Sequence, residues 1–107
     1  MATLMTTLHA LYTPNELKRL RFKNKAGLFI VWVDLHGMPC SEAKRFINNL
    51  INISNCPLIL AIVHGFKHGT ALSHMLRNDI DNKRILTRIV NGHNPGVTYL
   101  DISGCAQ

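Results

Sequence analysis

No stretch of this sequence is apolar for long enough to cross a membrane: the longest uninterrupted runs, residues 28–33 and 57–63, are strand-sized. Its first residues lack the basic-then-apolar pattern of a signal peptide, so the expectation is a cytoplasmic location and no membrane partner. Cysteine is scarce. Cys40, Cys56 and Cys105 make an odd count with no C-x-x-C spacing, which argues against a disulfide framework and a zinc knuckle. Acidic residues are few as well: 6 Asp and Glu face 12 Lys and Arg, a formal charge of +6 that favours a polyanionic partner over a cationic one. Neither G-x-x-x-x-G-K-[ST] nor G-x-G-x-x-G occurs, which excludes a Walker A loop and a dinucleotide fingerprint. No internal repeat or low-complexity tract is present.

What is there fits one compact module. A chain of 107 residues supplies one modest core, and 47% hydrophobic against 17% charged residues is a globular balance, not a disordered one. The positive charge is uneven. Lys18, Arg19, Arg21, Lys23 and Lys25 stand against the single carboxylate Glu16 in residues 1–26. Thr13-Pro14-Asn15-Glu16 reads as a capping box with proline at the first helical position, predicting a short helix to about Arg21. Residues 1–26 are thus read as a basic N-terminal extension and residues 27–103 as the domain. Lys18, Arg19, Arg21 and Lys23 suit a phosphate backbone, with Phe22 available to stack; a merely solvated basic face is the plain alternative.

Periodicity supplies the elements. Residues 28–33 are apolar on both faces, as in a covered strand. A helix follows from between Pro39 and Ser41, with Ala43, Phe46, Ile47, Leu50 and Ile51 on one stripe. Residues 58–63 form a second apolar strand, and a second helix buries Leu72, Met75, Leu76 and Ile80. Residues 84–90 and 97–102 read as two further strands joined by a turn-rich segment. The order βαβαββ predicts an α/β fold, a two-layer α+β sandwich whose four-stranded mixed sheet has strands one to three parallel and the fourth antiparallel.

That topology brings the segments after the first three strands to one edge. Val33-Asp34-Leu35-His36-Gly37 leaves the first strand with a carboxylate and an imidazole two residues apart; an Asp there is also a common turn former. The 64–70 loop holds His64, Gly65, Lys67, His68, Gly69 and Thr70, in which backbone N–H groups, the start of a helix and Lys67 suit an anion. His93 and Asn94 follow the third strand. Four of six histidines thus cluster, which reads as acid–base chemistry in preference to metal ligation, since no cysteine and only one carboxylate accompany them. RNA carries its own nucleophile, the 2′-hydroxyl, so such a site needs no cofactor; DNA requires an activated water and hence favours a divalent metal.

Asp34-Leu35-His36-Gly37, His64-Gly65 with Gly69, and Asn94-Pro95-Gly96-Val97-Thr98, in that order, resemble the small MutS-related (Smr) domain. The likeness spans about residues 27–102. It implies a fold like the C-terminal domain of a translation initiation factor, both helices on one sheet face, with the N-terminal helix as the expected cover for the other face around Trp32. It also implies an endonuclease of RNA or DNA, in some members acting on mRNA at stalled ribosomes, with Asp34, His36 and His64 as catalytic residues and Asp34 orienting His36. The common second motif is His-Gly-x-Gly-x-Gly; here Lys67 holds its middle glycine position. The competing expectation is a non-catalytic RNA- or ribosome-binding module, and the plainest is a small α/β domain without a site.

Overall fold

Alternating side chains put one face of every strand into the core, and a computed structural model describes the result for residues 12–54, 56–65, 70–90 and 96–104. The strands are β1 (Leu20–Lys25), β2 (Leu28–Asp34), β3 (Leu58–Val63), β4 (Ile85–Val90) and β5 (Val97–Ile102). They form one mixed open sheet in the order β1-β2-β3-β5-β4. The helices are α1 (Pro14–Leu17), α2 (Cys40–Ile53) and α3, which begins as Thr70–His74 and continues as a π-helical turn, Met75–Asp79. This is an α+β fold. Strands β2 and β3 pair in parallel, while β5 lies antiparallel between β3 and β4, so β2, β3 and β4 share one direction.

The sheet has five strands, not four, and the additional one lies in the stretch read as a basic extension. The capping box forms as expected: Thr13 Oγ1 accepts from the Glu16 N–H at 3.2 Å, and the Glu16 carboxylate accepts from the Thr13 N–H at 2.8 Å. The helix nevertheless stops at Leu17, because one turn gains little by itself. Leu20 and Phe22 instead pair with Val33 and Val31 and join the core, leaving Arg21 and Lys23 on the opposite face. The two-residue turn into β2 has positive φ at both Ala26 (53°) and Gly27 (80°), the twist that suits a tight hairpin. Alanine is strained there. Ala26→Gly is therefore expected to raise stability by about 0.5–1 kcal/mol, read as an upward shift in the thermal midpoint.

The helical stripes fall as predicted. Ala43, Phe46, Ile47, Leu50 and Ile51 of α2, together with Leu72, Met75, Leu76 and Ile80 at α3, are buried against Val31, Val33, Leu60, Ile62 and Leu100 of the sheet. The N-terminal segment also packs on this side. Tyr12 lies against Phe46, ring centroids 4.9 Å apart, and its hydroxyl donates to the Phe46 carbonyl at 3.2 Å. Burial and the nearby Glu16 charge push that phenol up to about 12. The expected cover over Trp32 is thus not supplied by α1, none of whose residues is buried.

One polar side chain fastens the layers. Arg84, expected at the start of a partly exposed strand, is buried just before β4. Its guanidinium donates to the carbonyls of Ile51 and Ser54 at the C-terminal end of α2, and to that of Ser103 beyond β5. A fixed cation at the negative end of a helix dipole satisfies carbonyls that have no partner within the helix.

Candidate nucleic-acid interface

The end of β2 is built by its own backbone. Asp34 pairs with Val63, and the Leu35 N–H donates to the Val63 carbonyl at 2.8 Å, tying the departing chain to β3. Leu35 is fully buried and pins the turn, while Gly37 takes a positive φ of 79° that a side chain would strain. Asp34 and His36 remain exposed on either side of that anchor. The Asp34 carboxylate accepts from the main-chain N–H of His36 at 2.9 Å. It therefore shapes the turn; the contact expected from Asp34 to the His36 ring is replaced by one to the backbone, as in an Asx turn.

Arg19 holds the same turn from the other side. Its Nη1 donates to the carbonyls of Asp34 at 3.0 Å and His36 at 3.1 Å, and its own carbonyl accepts from the Asp34 N–H at 2.8 Å. A residue read only as a phosphate contact is thus first a positioning residue. The convergence of the first two segments is real: Gly65 lies so near the His36 ring that a Cβ added to it would stand 3.7 Å from His36 Cδ2. Gly65 also needs its freedom, with φ at +88°.

His64 does not share this exposure. It is buried, with Nδ1 2.8 Å from the Gly65 carbonyl and Nε2 2.9 Å from Thr98 Oγ1. A carbonyl only accepts, so Nδ1 carries the proton, and Nε2 receives the Thr98 hydroxyl. Its backbone N–H and that of Gly65 both donate to the Gly96 carbonyl, at 2.9 and 3.2 Å. His64 is a strut between β3 and β5, and both ring nitrogens are engaged inside the protein. The expected acid or base role of His64 thus falls on a ring that the fold itself employs, unlike the exposed His36.

Burial lowers the His64 pKa from its ordinary 6.5, outweighing the Gly65 hydrogen bond that raises it. A depressed folded-state value means that the unfolded chain binds the proton first as pH falls. Stability is therefore expected to be full above about pH 6.5 and to decline as acid titrates this ring. In thermal melts at pH 7.5 and 5.5, His64→Gln should show a smaller acid-induced drop than wild type. An equal drop would assign the acid sensitivity to other groups.

Beside the Asp34 turn lies a groove of about 420 Å³ whose walls include Lys18, Arg19, Arg21, Lys23, Trp32 and Asp34. Lys18, Arg21 and Lys23 are exposed, so charge, rim and sheet face meet there. Lys67, His68, Gly69, His93 and Asn94 lie outside the described residues; Thr70 opens α3. Among the described residues no three His, Cys, Asp or Glu side chains group as metal ligands, and no helix is long and apolar enough to cross a membrane. No known protein family, curated protein or solved structure matches this chain. What the chain does must therefore be argued from these side chains. Sequence reasoning missed Thr98 as the partner of His64 and Arg19 as the clasp on the turn. The one available signal for Thr98 was a hydroxyl at the start of the last strand.

Proposed function

We propose that this chain is an Smr-like endonuclease acting on RNA in preference to DNA, its partner a polynucleotide laid along the cationic groove. The observation that carries the reading is an exposed imidazole, His36, on a turn fixed by Asp34 and Arg19, next to a groove lined by four Lys and Arg side chains. His36 takes the proton of the 2′-hydroxyl, and the resulting oxygen attacks the adjacent phosphorus. The bond from phosphorus to the 5′-oxygen breaks, that oxygen takes a proton from solvent, and the products carry a 2′,3′-cyclic phosphate and a 5′-hydroxyl. Arg21, Lys23 and Lys18 neutralise the phosphate as charge builds on it. The ribosome-bound mRNA of some Smr proteins is one substrate consistent with this surface.

The buried His64 gives specific support to a second reading. With one expected catalytic imidazole locked in the fold, the same groove serves a non-catalytic RNA- or ribosome-binding module. The experiment is cleavage of end-labelled single-stranded RNA, and nicking of supercoiled DNA, each with and without EDTA. The endonuclease reading expects RNA cut to cyclic-phosphate ends in either condition. Binding without cleavage selects the module, and neither binding nor cleavage removes both.

A further inference from the structure

Among the described residues the helices and Tyr12 occupy one side of the sheet, and its other side is presented by alternate residues of the five strands. Register places Arg21, Trp32, Ala61, Tyr99 and Ile89 in one row across β1, β2, β3, β5 and β4, with Lys23, Ile30, Ile59, Asp101 and Thr87 in the next. Trp32 and Tyr99 are only half-buried, and Ile89 is 55% exposed. The two rings meet edge-on at 75° with centroids 6.4 Å apart, over the small side chain of Ala61. Beside them runs a trough of about 260 Å³ walled by Ile30, Trp32, Ile59, Ile89, Tyr99 and Asp101.

Chemistry narrows the occupant. Aromatic rings on a sheet face offer π-faces, and base stacking on such rings tolerates any sequence. Trp32 also walls the cationic groove, so the aromatic row continues into Arg21 on β1, with Lys23 beside it in the next row. Charge of that sign beside the rings suits a phosphate backbone. Asp101 places a carboxylate among the apolar side chains, where it would repel an anionic lipid surface but can accept from the amino group of a base. On β2, Trp32 and Asp34 face the same way two residues apart, about 7 Å along the strand.

We propose that the open sheet face is a stacking platform for single-stranded polynucleotide: Trp32 and Tyr99 take successive bases, while Arg21 and Lys23 hold the backbone that leads to the Asp34–His36 turn. The proposal rests on the nucleic-acid reading of that turn and extends it to a surface that reading does not require. Trp32 is the only tryptophan and stands where the sheet face meets the cationic groove, so its emission reports a polynucleotide at that junction.

The test titrates the full chain with ten-nucleotide U and A RNA and with ten-nucleotide T DNA. Saturable quenching of Trp32 emission is expected, and the RNA and DNA arms show which sugar is preferred. Tyr99→Leu should weaken binding by roughly 5- to 140-fold and Tyr99→Phe hardly at all. Oligonucleotide binding that leaves the emission unchanged overturns the platform, as does emission that varies with protein concentration in the absence of oligonucleotide, which would assign the face to a second copy. If Tyr99→Leu does not fold, Ile89→Glu, at an exposed position of the same row and away from the groove, takes its place, and affinity unchanged from wild type overturns the platform. RNA cleavage without quenching removes the platform and keeps the turn as a catalytic site; quenching without cleavage does the reverse.

Discussion

His36→Ala is expected to slow RNA cleavage by about 10²- to 10⁴-fold, the usual contribution of a general acid or base, with little change in oligonucleotide affinity. The exposed ring makes no hydrogen bond among the described residues, and the turn beneath it is held by backbone and by Arg19, so its removal should leave the fold intact. The companion substitutions at Asp34 separate two roles. An asparagine Oδ1 accepts the His36 N–H as the carboxylate does, so Asp34→Asn should stay near wild type if the residue positions the turn. Asp34→Ala should then lose about tenfold, the worth of one net hydrogen bond. Equal, severe losses in both variants would instead give the carboxylate a chemical role. Rates measured with saturating labelled RNA distinguish these outcomes.

The largest structural effect is expected at Arg84. Arg84→Ala removes the donor shared by the carbonyls of Ile51, Ser54 and Ser103, of which Ile51 keeps, among the described residues, only the Ser54 N–H at 3.3 Å. A hydrogen bond from a charged donor contributes about 1.5–3 kcal/mol, so losing those of the guanidinium is expected to cost about 3 kcal/mol or more. Arg84→Lys should recover little, because one ammonium cannot reach acceptors spread around a planar fork. Urea unfolding of the three proteins checks both statements. A lysine variant as stable as wild type would contradict the role given to the guanidinium.

Much of this architecture could be read without coordinates. The stripes of α2 and α3 and the two apolar strands β2 and β3 declare themselves by periodicity, and burial follows the helical stripes residue by residue; the expectation that both faces of β2 are covered fails, since Leu28 is exposed and Ile30 and Trp32 are half-buried. Strand β1 did not, since five cations in eight positions mask the alternation of Leu20 and Phe22, and the capping box at Thr13 promises a longer helix than forms. The meeting of His36 with Gly65 followed from topology alone. The inward turn of His64 did not, because it depends on the Val63–Val97 register that sets Thr98 within reach of the ring, a pairing between strands far apart in sequence. Arg84 was illegible for a related reason. Its partners are backbone carbonyls, which carry no residue signature.

The most direct measurement follows the histidine ring signals by NMR while the chain is titrated with a non-cleavable, 2′-O-methylated single-stranded oligonucleotide. The resonances of His36 are expected to move as the oligonucleotide binds, while the buried His64 keeps its shifts. An oligonucleotide that binds and leaves His36 unmoved would contradict the placement of a polynucleotide at this turn.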